Sequence, residues 1–331
     1  MSNVAGTVST DLEQVAEELR SADRFLLVTH ENPDGDALGS ILAMHQILSQ
    51  LGKDSVMFMP AKEFPLPIEY RFLPLTEIFH EPPADLRDRV LVFLDCGNID
   101  RVAEGWLQRD NTHILNIDHH HDNTRFGSVN LVDVDAACTA EIVYELAGLL
   151  GAELTPEIAS ALYVGLVTDT GRFSYENTDA RSHRLAAELV DAGVDVGDTY
   201  RRLYERVPRE KLRLLARALE KIEIISSGRL AITYMAREDY EATGAGEELT
   251  EGIIDHVRAI DGPAVAAVVR DQLEPGRAAR KVSLRSTDGE VDVSAIARQQ
   301  GGGGHRRAAG FSTDLTYEEV LAFLSAAVLS R

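Results

Sequence analysis

Phe25 to Ser40 reads FLLVTHENPDGDALGS, and three kinds of sequence meet in it. Phe25 to Val28 is a short apolar run of the buried-strand type. Ala37 to Ser40 opens a helical pattern that reaches about Leu51, with Gly52 at the C′ position that stops helices. Between strand and helix, His30, Asp34 and Asp36 surround a Pro33/Gly35 turn. In an open parallel sheet, the loop leaving the C-terminal end of a strand faces the ligand crevice. One imidazole and two carboxylates on such a loop suit a divalent cation, although Asp-Gly pairs also serve simply as turns and caps.

The same arrangement recurs along the chain. Arg89 to Cys96, RVLVFLDC, is a continuous apolar run whose end carries Asp95. Thr112 to Ile117 runs directly into Asp118-His119-His120-His121. Thr155-Pro156-Glu157 starts a helix with an N-cap hydroxyl and Pro at N1, and its apolar body, Ile158 to Val167, leads into Thr168-Asp169-Thr170-Gly171. Around these, Thr10-Asp11-Leu12-Glu13 has the form of a capping box opening a first helix. Ser55 to Met59 predicts a strand, and residues 179–192 predict a helix. Residues 60–89 hold six of the eleven prolines and predict an irregular connection. Alternating strands and helices of this kind imply an α/β fold, with an N-terminal doubly wound, mostly parallel sheet domain.

The remainder divides differently. Residues 194–227 are helical and charged, with Leu212, Leu215, Leu219 and Ile222 at helical spacing, and predict a helical connector. The expected boundaries are therefore a catalytic domain over 1–193, the connector over 194–227, and a smaller α/β C-terminal domain over 228–331. In the last of these, strands are expected at 229–235, 264–273 and 280–285, and helices at 249–260, 292–299 and 316–329. A Gly301-Gly302-Gly303-Gly304-His305 loop precedes the apolar Ala308 to Phe311.

Composition excludes several classes. With 33 basic and 54 acidic residues the chain carries −21, which opposes general affinity for a long polyanion. Two cysteines, Cys96 and Cys138, leave no disulfide framework and suit a reducing cytoplasm. No run approaches a bilayer span and no signal peptide is evident, so no membrane partner is expected. Cys96, beside Asp95, reads as a small buried residue.

Gathered together, His30, Asp34, Asp36, Asp95, His119 and Asp169 make four carboxylates and two imidazoles. Such a set suits two divalent ions, Mn²⁺ ahead of Mg²⁺ because Mg²⁺ seldom accepts nitrogen, with Mg²⁺ or Co²⁺ as alternatives. Two cations about 4 Å apart need a bridging carboxylate, and the chemistry implied is hydrolysis of a phosphate ester or anhydride by water.

HENPDGDALGS at 30–40, Asp95, DHH at 118–120 and TDTG at 168–171 together resemble the DHH phosphoesterase superfamily. GGGGH at 301–305 is similar to the signature of the DHH-associated C-terminal domain. Chain length and this second domain are most similar to the nanoRNase/pAp-phosphatase branch. The resemblance implies one metal on His30, Asp34 and Asp95 and a second on Asp36, Asp95, His119 and Asp169, with Asp95 as the bridge. It implies that His120 faces the scissile phosphate and that Asp118 orients an imidazole, while His121, an extra histidine next to the motif, is read as an unliganded neighbour. It further implies that Gly301 to Gly304, His305, Arg285 and Ser283 grip substrate. Local charge agrees, since Arg270 to Arg307 holds eight basic residues against five acidic. The expected activity is hydrolysis of short oligoribonucleotides, linear dinucleotides such as pApA, and pAp, with cyclic di-AMP as a further candidate. The expected protein is a cytoplasmic homodimer. Alternatives are a pyrophosphatase of the same superfamily, a RecJ-like single-strand DNA exonuclease, and a nucleotide-binding regulator without catalysis.

Overall fold

In the computed structural model the described residues are 2–102, 105–108, 112–304 and 306–329, with residues 2–10 described by backbone alone. His305 lies outside the described residues. The chain divides into two compact units, Met1–Arg206 and Val207–Arg331. That division falls within the span expected to connect two domains.

The first unit begins with helix α1 (Ser2–Ser21), so Thr10 lies inside the helix and not at its cap. Nothing upstream of Thr10 is a proline, and a capping pattern alone does not stop a helix from extending backwards. Then come β1 (Arg24–Val28), α2 (Gly35–Gln50), β2 (Asp54–Phe58), β3 (Ile78–Phe79), β4 (Val90–Leu94), β5 (Ile114–Asp118) and β6 (Val129–Val132). After them are three longer helices, α3 (Thr139–Leu150), α4 (Pro156–Asp169) and α5 (Ala180–Asp191), then the short α6 (Val196–Tyr200), which runs into a π-turn over Arg201–Glu205. The strands form one parallel sheet in the order β3-β2-β1-β4-β5-β6. This is a doubly wound order, and its direction reverses between β1 and β4, where Val28 pairs with both Phe58 and Phe93.

Alternate residues of these strands face opposite ways. Phe25, Leu27, Val92, Leu94, Leu115 and Ile117 join the core shared with α1 to α5. Leu26, Val28, Leu91, Phe93 and Ile114 form a second core with Cys96, Val102 and Leu107. Gly39 on α2 and Gly165 on α4 let those two helices approach, since a Cβ at Gly39 would lie 2.4 Å from the Ala161 carbonyl.

The second unit starts with α7 (Arg209–Glu220), whose inward face is Leu214 and Ala218, while Leu212 and Leu219 are exposed. The expected helical connector ends early. Glu223–Ile225 is strand β7, turned back onto β8 (Leu230–Met235) by Ser226, Ser227 and Gly228, all at positive φ. Two consecutive positive-φ residues are the geometry of a tight hairpin, and serines do not announce it. Next come α8 (Arg237–Thr243), α9 (Ile253–Arg258), β9 (Val265–Asp271), β10 (Arg280–Ser286), α10 (Val293–Ala297), β11 (Gly303–Gly304), β12 (Ala308–Thr313) and α11 (Tyr317–Leu329). The helix expected over 249–260 is interrupted by Gly252 at φ 81°. The sheet order is β11-β12-β10-β9-β8-β7. One face packs on α10 and α11, and α7 to α9 cover the β8 and β9 part of the other. Among the described residues no helix is long and apolar enough to cross a membrane.

Candidate metal centre

The site is assembled at the reversal point of the first sheet. His30 comes just after β1, Asp95 just after β4, and His119 and His120 just after Asp118 at the end of β5. Asp34 is the N-cap of α2, its Oδ1 accepting from the amides of Asp36 and Ala37 at 3.0 and 3.1 Å. Asp36 lies in the first turn of α2 and Asp169 in the last turn of α4. The capping reading of Asp34 is thus true, and it does not remove Asp34 from the site.

Among the described residues, three groups offer ligand atoms within 4.8 Å of one another: His30, Asp34 and Asp95; Asp36, His119 and Asp169; and Asp95, His119 and His120. His30 Nε2 lies 3.5 Å from Asp95 Oδ2, while His119 Nε2 lies 3.6 Å from Asp95 Oδ1 and 3.6 Å from Asp169 Oδ2. Asp95 therefore stands between the other groups. It is buried, and its backbone occupies the left-handed region at φ 58°, which a non-glycine residue adopts only when its surroundings compel it. His121 is exposed and belongs to none of the three groups.

Neighbouring groups orient the imidazoles. His30 Nδ1 donates to the Glu31 carbonyl at 2.7 Å, which turns Nε2 toward Asp95. His120 Nδ1 lies 2.7 Å from Asp118 Oδ1, and the Asn123 amide donates to Asp118 Oδ2 at 2.5 Å. The Asn177 amide donates to the Ala137 carbonyl at 2.8 Å and to the Asp169 carbonyl at 3.1 Å. The two oxygens of Asp36 accept from the backbone amides of Thr139 and Ala140 at 2.7 and 2.9 Å, and Ser40 donates to Oδ1 at 3.2 Å. Sequence reasoning missed Asn123, Thr139 and Asn177. Of the supporting residues only Ser40, one helical turn after Asp36, carried a local signal.

Electrostatics favour cations here. Burial alone would push the His119 imidazole down, but Asp169, Asp95 and Asp36 raise it to about 9. His30 and His120 are likewise raised against burial, chiefly by Asp95 and Asp118 respectively. Burial would lift Asp95, yet His30, His120 and His119 hold it below the ordinary carboxylate range. Burial and then the carboxylates of Asp95 and Asp169 push Asp36 up, and burial brings Asp169 up to about 7. Carboxylates that raise one another's pKa in a buried cluster are relieved by bound positive charge, so the donor set fits divalent ions. The Cys96 thiol, pushed up to about 12 by burial, donates to the Asn98 carbonyl and offers no thiolate.

The second unit holds a separate small pocket of about 60 Å³ lined by Arg270, Lys281, Ser283 and Arg285 with Thr250 to Gly252. Lys281, Ser283 and Arg285 alternate along β10 on one face, opposite the buried Val282 and Leu284. Arg270 and Lys281 belong to the basic stretch noted in the sequence but not to the substrate residues expected from it. The residues Gly301 to Gly304 are not wholly a loop: Gly303 and Gly304 pair with Gly310 and Ala309 as an edge strand. Close backbone approach explains it, since a Cβ at Gly302 would lie 2.2 Å from the Gly310 carbonyl. Gly310 in turn pairs with Ser283, which places Gly303 and Ser283 in one row of the sheet.

Comparison with known proteins agrees with this architecture. Residues 24–166 match the DHH family, N-terminal domain, and residues 229–330 match the DHHA1 domain. A Thermus thermophilus protein named bifunctional oligoribonuclease and PAP phosphatase NrnA is 36% identical over 93% of this chain and 91% of its own. The Bacillus subtilis protein of the same name is 26% identical over 88% of this chain and 89% of its own. Among solved structures, an exopolyphosphatase-related protein from Bacteroides fragilis superposes with a TM-score of 0.88 at 23% identity, covering 97% of this chain and 96% of that one, and supports the fold. With its carboxylate and imidazole groups at the strand ends and a DHHA1 domain following in the sequence, the chain belongs to the DHH family of metal-dependent phosphoesterases and is a hydrolase.

Proposed function

We propose that this protein is a two-metal phosphoesterase of very short nucleotides, acting on oligoribonucleotides of a few residues, linear dinucleotides such as pApA, and pAp. The observation that carries the reading is Asp95, buried between a His30/Asp34 group on one side and an Asp36/His119/Asp169 group on the other. The Thermus relative, with its printed name and 36% identity over nearly the whole chain, supports the substrate class.

In this reading His30, Asp34 and Asp95 hold one ion, and Asp36, Asp95, His119 and Asp169 hold the other. Two imidazoles in the set favour Mn²⁺ over Mg²⁺. Bound there, the ions would supply Lewis-acid charge to the phosphoryl group and lower the pKa of water. His120, its Nδ1 held by Asp118, directs positive charge at a phosphoryl oxygen where charge develops. By fixing where the ions would sit, the ordered carboxylates would fix where a phosphate is received, so binding and orientation would fall to the same residues. The catalytic assignment covers 1–193. In the second unit Arg270, Lys281, Ser283 and Arg285 offer charge for one further phosphate. Gly303 and Gly310 leave the adjoining surface without side chains, and His305 completes the proposed substrate set. A cytoplasmic homodimer accompanies this reading, and sedimentation velocity tests the dimer.

The deciding experiment is a product time course with one Mn²⁺-loaded preparation on RNA of two to thirty nucleotides, pAp and cyclic di-AMP. We expect kcat/KM to peak at two to about four nucleotides. A shallow salt dependence should accompany it, corresponding to about two or three phosphate contacts. A thirty-nucleotide strand cut as fast as a dinucleotide favours a processive exonuclease, pyrophosphate as sole substrate favours a pyrophosphatase, and nucleotide binding without turnover favours a regulator.

A further inference from the structure

Helix α3 begins without a side-chain cap of its own. Its N-cap residue, Cys138, makes no capping hydrogen bond, so the first amides of the helix need an acceptor from elsewhere. Asp36, over a hundred residues away, provides it with both carboxylate oxygens, through the amides of Thr139 and Ala140. Thr139 does something more. Its hydroxyl donates to Asp95 Oδ1 at 3.1 Å, shorter than the 3.5–3.6 Å at which His30, His119 and His120 approach that carboxylate. Thr139, Asp36 and Asp95 are all buried. One residue thus touches Asp36 through its amide and Asp95 through its hydroxyl, and so links two carboxylates.

Asp95 needs such a contact. Its backbone is held in the left-handed region at φ 58°, a conformation that its surroundings must maintain. Three imidazoles on its two oxygens pull in different directions. We propose that Thr139 is a positioning residue of the metal centre, its hydroxyl holding the Asp95 carboxylate in the orientation that lets it serve both ions. The proposal rests on the reading of Asp36 and Asp95 as metal ligands.

Mn²⁺ titration of metal-stripped protein by calorimetry tests it with three variants. Thr139→Ser keeps the hydroxyl and loses the methyl, Thr139→Val does the reverse, and Thr139→Ala loses both. Thr139→Ser is expected to bind Mn²⁺ within about twofold of the unaltered protein. Thr139→Val and Thr139→Ala should lose about 10–100-fold in affinity for at least one ion, the usual cost of removing a contact behind a ligand. Affinity that tracks the methyl group, or that is unchanged in all three variants, overturns the proposal. Should Thr139→Val not fold, the comparison of Thr139→Ala with Thr139→Ser still separates hydroxyl from none. Asp95→Ala is measured alongside: two ions retained there would overturn the ligand reading itself, whereas loss there with a normal Thr139→Ala overturns only the role of Thr139.

Discussion

Asp118 and His120 form a close side-chain pair, with 2.7 Å between Oδ1 and Nδ1, and Asn123 closes the other oxygen of Asp118. The Asp118 carboxylate is fully buried, so its charge is balanced by these two donors and not by water. The pair keeps the His120 ring oriented and favours its charged form. His120→Ala is therefore expected to retain the bound metal while kcat falls by roughly 10²–10³-fold, the usual loss for one donor to a developing oxyanion. Metal analysis beside turnover at saturating Mn²⁺ checks it. A drop in metal content with turnover preserved would make His120 a ligand instead.

Among the elements, α2 and α4 matter most, because one carries Asp36 in its first turn and the other Asp169 in its last. They meet through glycines. A Cβ at Gly39 would lie 2.4 Å from the Ala161 carbonyl, and one at Gly165 would lie 2.8 Å from Asp36 Oδ1. Gly39→Ala must push backbone against backbone, so we expect a destabilisation of about 1–3 kcal/mol from overpacking. The separation of α2 and α4 should also weaken Mn²⁺ binding. A thermal unfolding midpoint unchanged from the parent protein would show that the helices yield without cost. The sheet beside them explains why this part of the fold was legible: runs such as Phe25 to Val28 and Val90 to Leu94 are buried on both faces and read as continuous apolar segments. The two-residue β3 and the serine hairpin before β8 carry no such pattern and were not foreseen.

For the whole molecule, charge is divided unequally. The first unit has 16 basic and 35 acidic residues, and the second 17 and 19, so nearly all of the −21 belongs to the unit that holds the carboxylate cluster. Without cations, the pKa shifts give that unit a definite pH dependence. His119, at about 9 in the fold against an ordinary 6.5, contributes stability that is full below 6.5 and lost as pH rises through 9. His30 and His120 shift in the same direction. Asp169, at about 7 against 3.8, also stabilises in its protonated form, and that contribution disappears between pH 4 and 7. Chelated protein should thus melt at a lower temperature at pH 9 than at pH 6.5, and added Mn²⁺ should raise the midpoint more at the higher pH. Chelated protein that is equally stable at both would mean that the imidazoles are not held by their carboxylates.

The sequence alone determined which residues could be gathered as candidate ligands. Parallel strands all deliver their C-terminal loops to one edge of the sheet, so His30, Asp95 and Asp118 to His120 could be gathered from apolar runs and their last residues. Caps and helix periodicity supplied α2 and α4. These signals are local, each spanning only a few residues. Tertiary structure decided what holds the gathered groups in place. Thr139 meets Asp36 across 103 positions and Asp95 across 44, and the pocket of Arg270, Lys281, Ser283 and Arg285 exists because β9 lies beside β10. Contacts between residues so far apart leave no periodicity or spacing in either segment, and only the folded chain brings their donors and acceptors within hydrogen-bond reach.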